Sequence, residues 1–115
     1  MELKCVVSEI MPLKIPKVYR LRGNCGNVEL EIEFHEEVVE GPKIGSQMIV
    51  EITSDKNECM KHYFCAHGYV ISNTQIGDFY RVVISLHGFL VVIKSKHSIG
   101  INVMDRVYLG VTFIA

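Results

Sequence analysis

The chain has 115 residues, a net charge of −1 and a sequence pI of about 6.5. That balance excludes a dominant electrostatic footprint for nucleic acid or a charged membrane surface. No apolar run reaches the length of a membrane-spanning helix, which excludes that class of membrane protein as well.

The length predicts a single domain over residues 1–115, able to hide roughly two-thirds of its unfolded surface and so to hold a core without staples. Apolar residues make up 49% and charged residues 22%, with a mean hydropathy of +0.24. This is slightly more apolar than a lone soluble monomer needs. Met1-Glu2-Leu3-Lys4 lacks the long apolar core of a signal peptide, so a cytoplasmic location is expected. In that compartment Cys5, Cys25, Cys59 and Cys65 are expected to be reduced.

Valine and isoleucine are abundant, tryptophan is absent and turn residues recur at short intervals, which is an all-β pattern. A first strand is predicted over residues 3–11, after which Pro12 and Pro16 interrupt the pattern. Residues 18–22 form a second predicted strand and Gly23-Asn24-Cys25-Gly26 a turn. Residues 28–34 alternate most cleanly: Val28, Leu30, Ile32 and Phe34 point one way, Glu29, Glu31, Glu33 and His35 the other. A four-residue loop predicts Leu21 opposite Val28, Tyr19 opposite Leu30 and Arg20 opposite Glu29.

Gly41-Pro42-Lys43-Ile44-Gly45 reads as a turn into a strand over 47–53. Residues 54–63 are polar and without period, a loop or one helical turn. A strand is predicted over 64–72 and a turn over 73–77. Two apolar runs then flank His87-Gly88, a two-residue hairpin signal that sets Leu86 against Phe89, Ile84 against Val91 and Val82 against Ile93. Residues 95–105 are a longer connection and 106–114 the last strand, with Val107, Leu109, Val111 and Phe113 inward. About eight antiparallel strands result, and closure into a barrel removes their exposed edges.

The hairpin is unusual because both its faces are apolar. A sheet with one face in water alternates apolar and polar. Here the second face carries Phe79, Val83, Leu90 and Val92, broken only by Arg81, Ser85 and Lys94. That set is expected to meet another protein, with Arg106 and Tyr108 of the last strand as rim contacts.

Ser85-Leu86-His87-Gly88-Phe89-Leu90, followed by Asp105-Arg106-Val107-Tyr108-Leu109, resembles the C-terminal half of the small OB-fold subunit of multisubunit RNA polymerases. This is the subunit shared by the three nuclear polymerases, whose archaeal form is the G subunit. Val18-Tyr19-Arg20-Leu21, Ile44-Gly45-Ser46-Gln47 and Gly68-Tyr69-Val70 resemble the same family in the same order. Nuclear members carry a long acidic loop between the fourth and fifth strands, whereas only residues 54–64 stand there in this chain, as in the archaeal form. Gly88 matches the second glycine of the nuclear hairpin, and His87 replaces the first. The resemblance implies an eight-stranded OB-like barrel, a structural role in DNA-directed RNA polymerase, docking on the largest subunit, no cofactor and no catalytic residues.

Three other chemistries compete with this reading. Cys59, His62, Cys65 and His67 are all zinc-ligand types, in a C-x2-H-x2-C-x-H spacing. Structural zinc sites use two ligand pairs a dozen or more residues apart, and nine consecutive residues rarely wrap a tetrahedron, so no metal is expected. A free-standing OB-fold that binds single-stranded nucleic acid is the alternative function. Its cations would be Lys14, Lys17, Arg20 and Arg22, or Lys94, Lys96 and His97, but Glu29, Glu31, Glu33, Glu36, Glu37 and Glu40 counter the first group. Contact with nucleic acid is therefore expected only indirectly or weakly. No nucleophile-elbow, P-loop or paired-carboxylate motif suggests an enzyme.

Overall fold

The computed structural model describes residues 1–39 and 42–114. Among these, eight strands and one short helix follow the chain: β1 (Glu2–Pro12), β2 (Val18–Asn24), β3 (Val28–His35), β4 (Gln47–Thr53), α1 (Lys56–Cys59), β5 (Phe64–Ile76), β6 (Phe79–Leu86), β7 (Phe89–Ser95) and β8 (Arg106–Ile114). Every pairing is antiparallel, and the strands close in the order β1-β2-β3-β7-β6-β5-β8-β4. This is the all-β, eight-stranded OB-like barrel expected from the sequence. In the ring, β2 and β5 lie four strands apart in either direction, on opposite sides.

Alternation fixes which side chains enter the barrel. Leu30, Ile32 and Phe34 of β3 are buried, and so are Val82 and Ile84 of β6 and Val91 and Ile93 of β7. Burial of each such side chain contributes about 1.5–3 kcal/mol. Phe34 anchors an aromatic cluster, with ring centroids 5.1 Å from Phe64 and 5.9 Å from Tyr19. The Tyr19 hydroxyl donates to the Val39 carbonyl at 2.9 Å, and burial, with Tyr63 nearby, raises its pKa to about 12.

The β6–β7 register is as expected: Leu86 opposes Phe89, Ile84 opposes Val91 and Val82 opposes Ile93. His87 takes a positive φ of 54° at the tip, a region in which histidine is enriched among non-glycine residues. The β2–β3 register differs from the expectation. Leu21 opposes Ile32, Tyr19 opposes Phe34 and Arg20 opposes Glu33. The strands run on through Gly23 and Asn24, and the turn sits at Gly26-Asn27, closed by the Cys25 N–H donating to the Val28 carbonyl at 2.8 Å. Partners move by an even number of residues, so the inner and outer faces stay as predicted.

β5 also runs further than expected. Residues 73–76 continue the ladder with β6 as far as Ile76 opposite Phe79, and only Gly77 and Asp78 make the turn. Asn73 is polar because it points to the barrel end, where its amide donates to the Ile101 carbonyl at 2.6 Å. Of the 41–45 turn, Gly41 lies outside the described residues.

The cysteines are bridged, Cys5 to Cys25 and Cys59 to Cys65, which corrects the expectation of free thiols. That expectation came from compartment alone. The fold supplies what it lacked: the β1–β2 ladder sets Val6 opposite Asn24 and so brings Cys5 beside Cys25, Cα atoms 4.1 Å apart.

Candidate partner-binding surface

The outer surface of the barrel has three sectors of different chemistry. On β2 and β3 the outward side chains are charged and complementary. Arg20 lies 2.9 Å from Glu33, and Arg22 lies 2.8 Å from Glu31 and 3.1 Å from Glu9 of β1. Glu31 holds the Arg22 guanidinium firmly charged. Glu33 also accepts the Leu90 N–H at 2.8 Å, tying β3 to β7. Lys17 adds a pair with Glu37 at 2.8 Å. Lys17, Arg20 and Arg22 thus each have a carboxylate partner. Glu40 lies outside the described residues.

On β4 and β8 the outside is covered from within the chain. Asp55 caps α1 by accepting the Asn57 N–H at 2.9 Å. The turn that follows lays His62 onto the sheet, its side chain only 11% exposed. His62 Nδ1 is 2.9 Å from Thr112 Oγ1 and Nε2 is 2.9 Å from Glu51 Oε1. Gly110 leaves the space for this ring, since a Cβ there would collide with it. The four zinc-ligand types therefore do not converge. Cys59 and Cys65 are bonded to each other, His62 faces β4 and β8, and His67 points elsewhere. Among the described residues no group of three or more His, Cys, Asp or Glu is placed to hold a metal.

The third sector spans β7, β6, β5 and β8, and it holds the residues expected to bind a partner. Val83 and Val92 are cross-strand neighbours, with Leu90 opposite Ser85 one step along. Leu90 and Val92 are half-buried, while Val83 is only 6% exposed and has little left to bury. Phe79, 37% exposed, sits four residues from Val83, about 13 Å along β6, at the barrel end. There it lines a groove of about 750 Å³ with Lys94, Lys96, Asn27, Glu29 and Asp78. Arg106 and Tyr108 lie on β8, opposite Tyr69 and His67 of β5. The Arg106 guanidinium is 5.7 Å from the centre of the Tyr108 ring.

The contact residues expected from the sequence leave out the outward face of β5, the strand between these two groups. Tyr69 is 45% and Ile71 49% exposed on the outside of β5. The ladder passes from Val70 opposite Ile84 to Ser72 opposite Val83, so Ile71 is the extra residue of a β-bulge. Bulges re-aim side chains in this way. Met104, 73% exposed, lies beside it, because the Met104 N–H donates to the Val70 carbonyl at 2.7 Å. Alternation through Phe64, Ala66, Gly68 and Val70 could have put Tyr69 outside, whereas a bulge leaves no signature in hydropathy.

The fold is that of a small closed antiparallel barrel with exposed apolar residues on the outside of β5. The comparisons with known proteins make this specific. The family model for the G subunit of DNA-directed RNA polymerase matches residues 1–113. DNA-directed RNA polymerase subunit Rpo8 of Sulfolobus acidocaldarius is 32% identical over 117 residues, covering 94% of this chain and 93% of its own. Its counterpart in Saccharolobus solfataricus is 26% identical, covering 95% and 89%. Among solved structures, the cytoplasmic molybdate-binding protein ModG aligns with 99% of this chain and 93% of its own at 13% identity and a TM-score of 0.42, too slight a likeness to build on. The chain belongs to the G-subunit family of DNA-directed RNA polymerase and is a non-catalytic component of that enzyme.

Proposed function

We propose that the chain docks on the largest subunit of an archaeal-type polymerase, in the cytoplasm, through the outer sector of β5, β6 and β7. Ile71, Tyr69, Leu90 and Val92 form the apolar centre of this surface, Phe79 one end, and Arg106 and Tyr108 the rim. One observation supports the reading: Tyr69 and Ile71 stand exposed beside half-buried Leu90 and Val92, whereas the outward arginines of β2 are paired with the glutamates of β3. With extents of 32 × 30 × 27 Å, one side of the barrel can supply the roughly 800 Å² per partner of a standard interface. The role is assembly and stabilisation of the region it covers.

The test is affinity purification of the tagged chain from its native lysate at high salt after nuclease treatment. Recovery of the largest polymerase subunit, identified by mass spectrometry, is the expected result. The groove lined by Phe79, Lys94 and Lys96 favours a second reading, a single-strand binder with a stacking aromatic and two cations in one groove. Glu29 and Asp78 in the same groove oppose it. Recovery of nucleic acid alone, lost steeply as salt rises, would replace the first reading with the second.

A further inference from the structure

His67 and His87 come together through the fold, twenty residues apart in the chain. His67 points outward from β5, opposite Tyr108, with ring centroids 5.9 Å apart. His87 caps the β6–β7 tip. Gly68 brings them together: a Cβ at position 68 would fall on the Ser85 carbonyl, with Leu86 Cα 3.1 Å away. Without that Cβ, the end of β6 crosses β5 in backbone contact and lays one imidazole on the other. The centroids are 4.6 Å apart, the planes 83° apart, and the two Nε2 atoms 3.2 Å apart.

We propose that His67 and His87 form a two-imidazole chelating site for a late first-row divalent cation such as Zn²⁺ or Ni²⁺, with water in the remaining positions. A cation about 2.0–2.1 Å from each nitrogen requires them to be separated by about 2.9 Å for a right-angle bite and about 3.4 Å for a tetrahedral one. The observed 3.2 Å falls between these, so occupancy needs a tilt of the rings and no backbone movement. In the metal-free pair one Nε2 carries the proton and the other accepts it. On binding, both Nε2 lone pairs face the metal and the displaced proton moves to Nδ1 of the same ring, with no net proton released from two neutral rings.

The donor set also defines the selectivity. Two neutral nitrogens without a carboxylate suit Zn²⁺, Ni²⁺ and Cu²⁺ and offer nothing to Mg²⁺ or Ca²⁺. Partial burial, His87, Arg106 and Lys56 all lower the pKa of His67, which reduces competition from protons. The two cations also repel a bound ion, which weakens purely electrostatic binders most. Occupancy pins the β6–β7 tip to β5 at the margin of the apolar sector. The site does not depend on which polymerase component that sector meets.

Isothermal titration of the untagged, disulfide-intact chain with ZnCl₂, paired with long-range ¹H–¹⁵N spectra of the imidazoles, tests this. The expected result is one saturable site, shifts at Nε2 of His67 and His87, and no response to MgCl₂. Zinc that binds the folded chain and not the unfolded one also raises Tm. His67→Ala and His87→Asn should each weaken binding about tenfold or more. Asparagine at 87 tolerates the positive φ of the turn, so the metal-free Tm of that variant stays near the parent value. Two results would overturn the proposal: no saturable zinc binding, or binding of parental strength in both variants, which would put the ion elsewhere, with His62 and Glu51 the next place to look.

Discussion

The side of the barrel made by β2 and β3 and the side made by β5, β6 and β7 use the same strand geometry and end in opposite surfaces. On the first, each outward arginine faces a glutamate across the ladder, Arg20 with Glu33 and Arg22 with Glu31. On the second, outward positions carry exposed Tyr69 and Ile71, half-buried Leu90 and Val92 and an already buried Val83, interrupted by Arg81, Ser85 and Lys94. The first is complete in water. The second leaves Tyr69 and Ile71 exposed, outward apolar area of the kind an interaction site uses, and it is the face we propose to dock. Polarity of the outward residues, not strand pairing, separates the solvated wall from the wall proposed to dock.

The largest effect should come from removing the feature that brings β5 and β6 together. Gly68→Ala places a methyl group on the backbone of Ser85, where nothing can yield as a flexible side chain would. Urea unfolding should show a loss of about 4 kcal/mol or more, in the range reserved for severe backbone clashes. A loss of less than about 1 kcal/mol would mean that β6 can retreat at the cost of an ordinary substitution.

Next is the bridge between Cys5 and Cys25, which closes the β1–β2 side. With a sequence separation of 20, it should stabilise the fold by about 3 kcal/mol through the unfolded chain. Cys5→Ser should lower Tm accordingly, and thiol titration of protein prepared without reductant should find no reactive thiol. Four titratable thiols in the native protein would restore the expectation of reduced cysteines.

Ile71→Asp and Val92→Asp test the docking wall. Each should weaken association with the largest subunit about thirtyfold or more, as for an interface hot spot. The circular dichroism and Tm of the free chain should stay close to the parent. Unfolding of the free Val92→Asp chain would show that this face is internal core.

The smallest effect belongs to the solvated wall. Arg22→Ala removes its contacts with Glu9 and Glu31, solvent-screened pairs with partly exposed side chains, and should leave both the Tm of the free chain and assembly nearly unchanged.

These two walls are not equally legible in the sequence. His87-Gly88 is the only tight-turn dipeptide between its two apolar runs, so the β6–β7 register can be read residue by residue. Gly23-Asn24-Cys25-Gly26 offers more than one place to turn, and a four-residue loop there is the wrong one. The true partner of Arg20 is Glu33 and not Glu29, but glutamates two and four residues apart share a face, so the solvated character survives the error. Ile71 is invisible because a bulge changes direction without changing composition. The pairings Cys5–Cys25 and His67–His87 depend on which strands become neighbours, which no local pattern encodes. For His62, ligand-type spacing suggests a metal, while the fold uses the ring to join Thr112 and Glu51.

We propose that the wall centred on β5 docks and that β2, on the other side of the ring, does not. Site-specific photo-crosslinking in the assembled polymerase addresses it directly, with the crosslinker placed at Ile71 on β5 or at Arg22 on β2, across the ring. The expected result is a crosslink from position 71 to the largest subunit and none to it from position 22. A crosslink to the largest subunit from position 22 alone would contradict it.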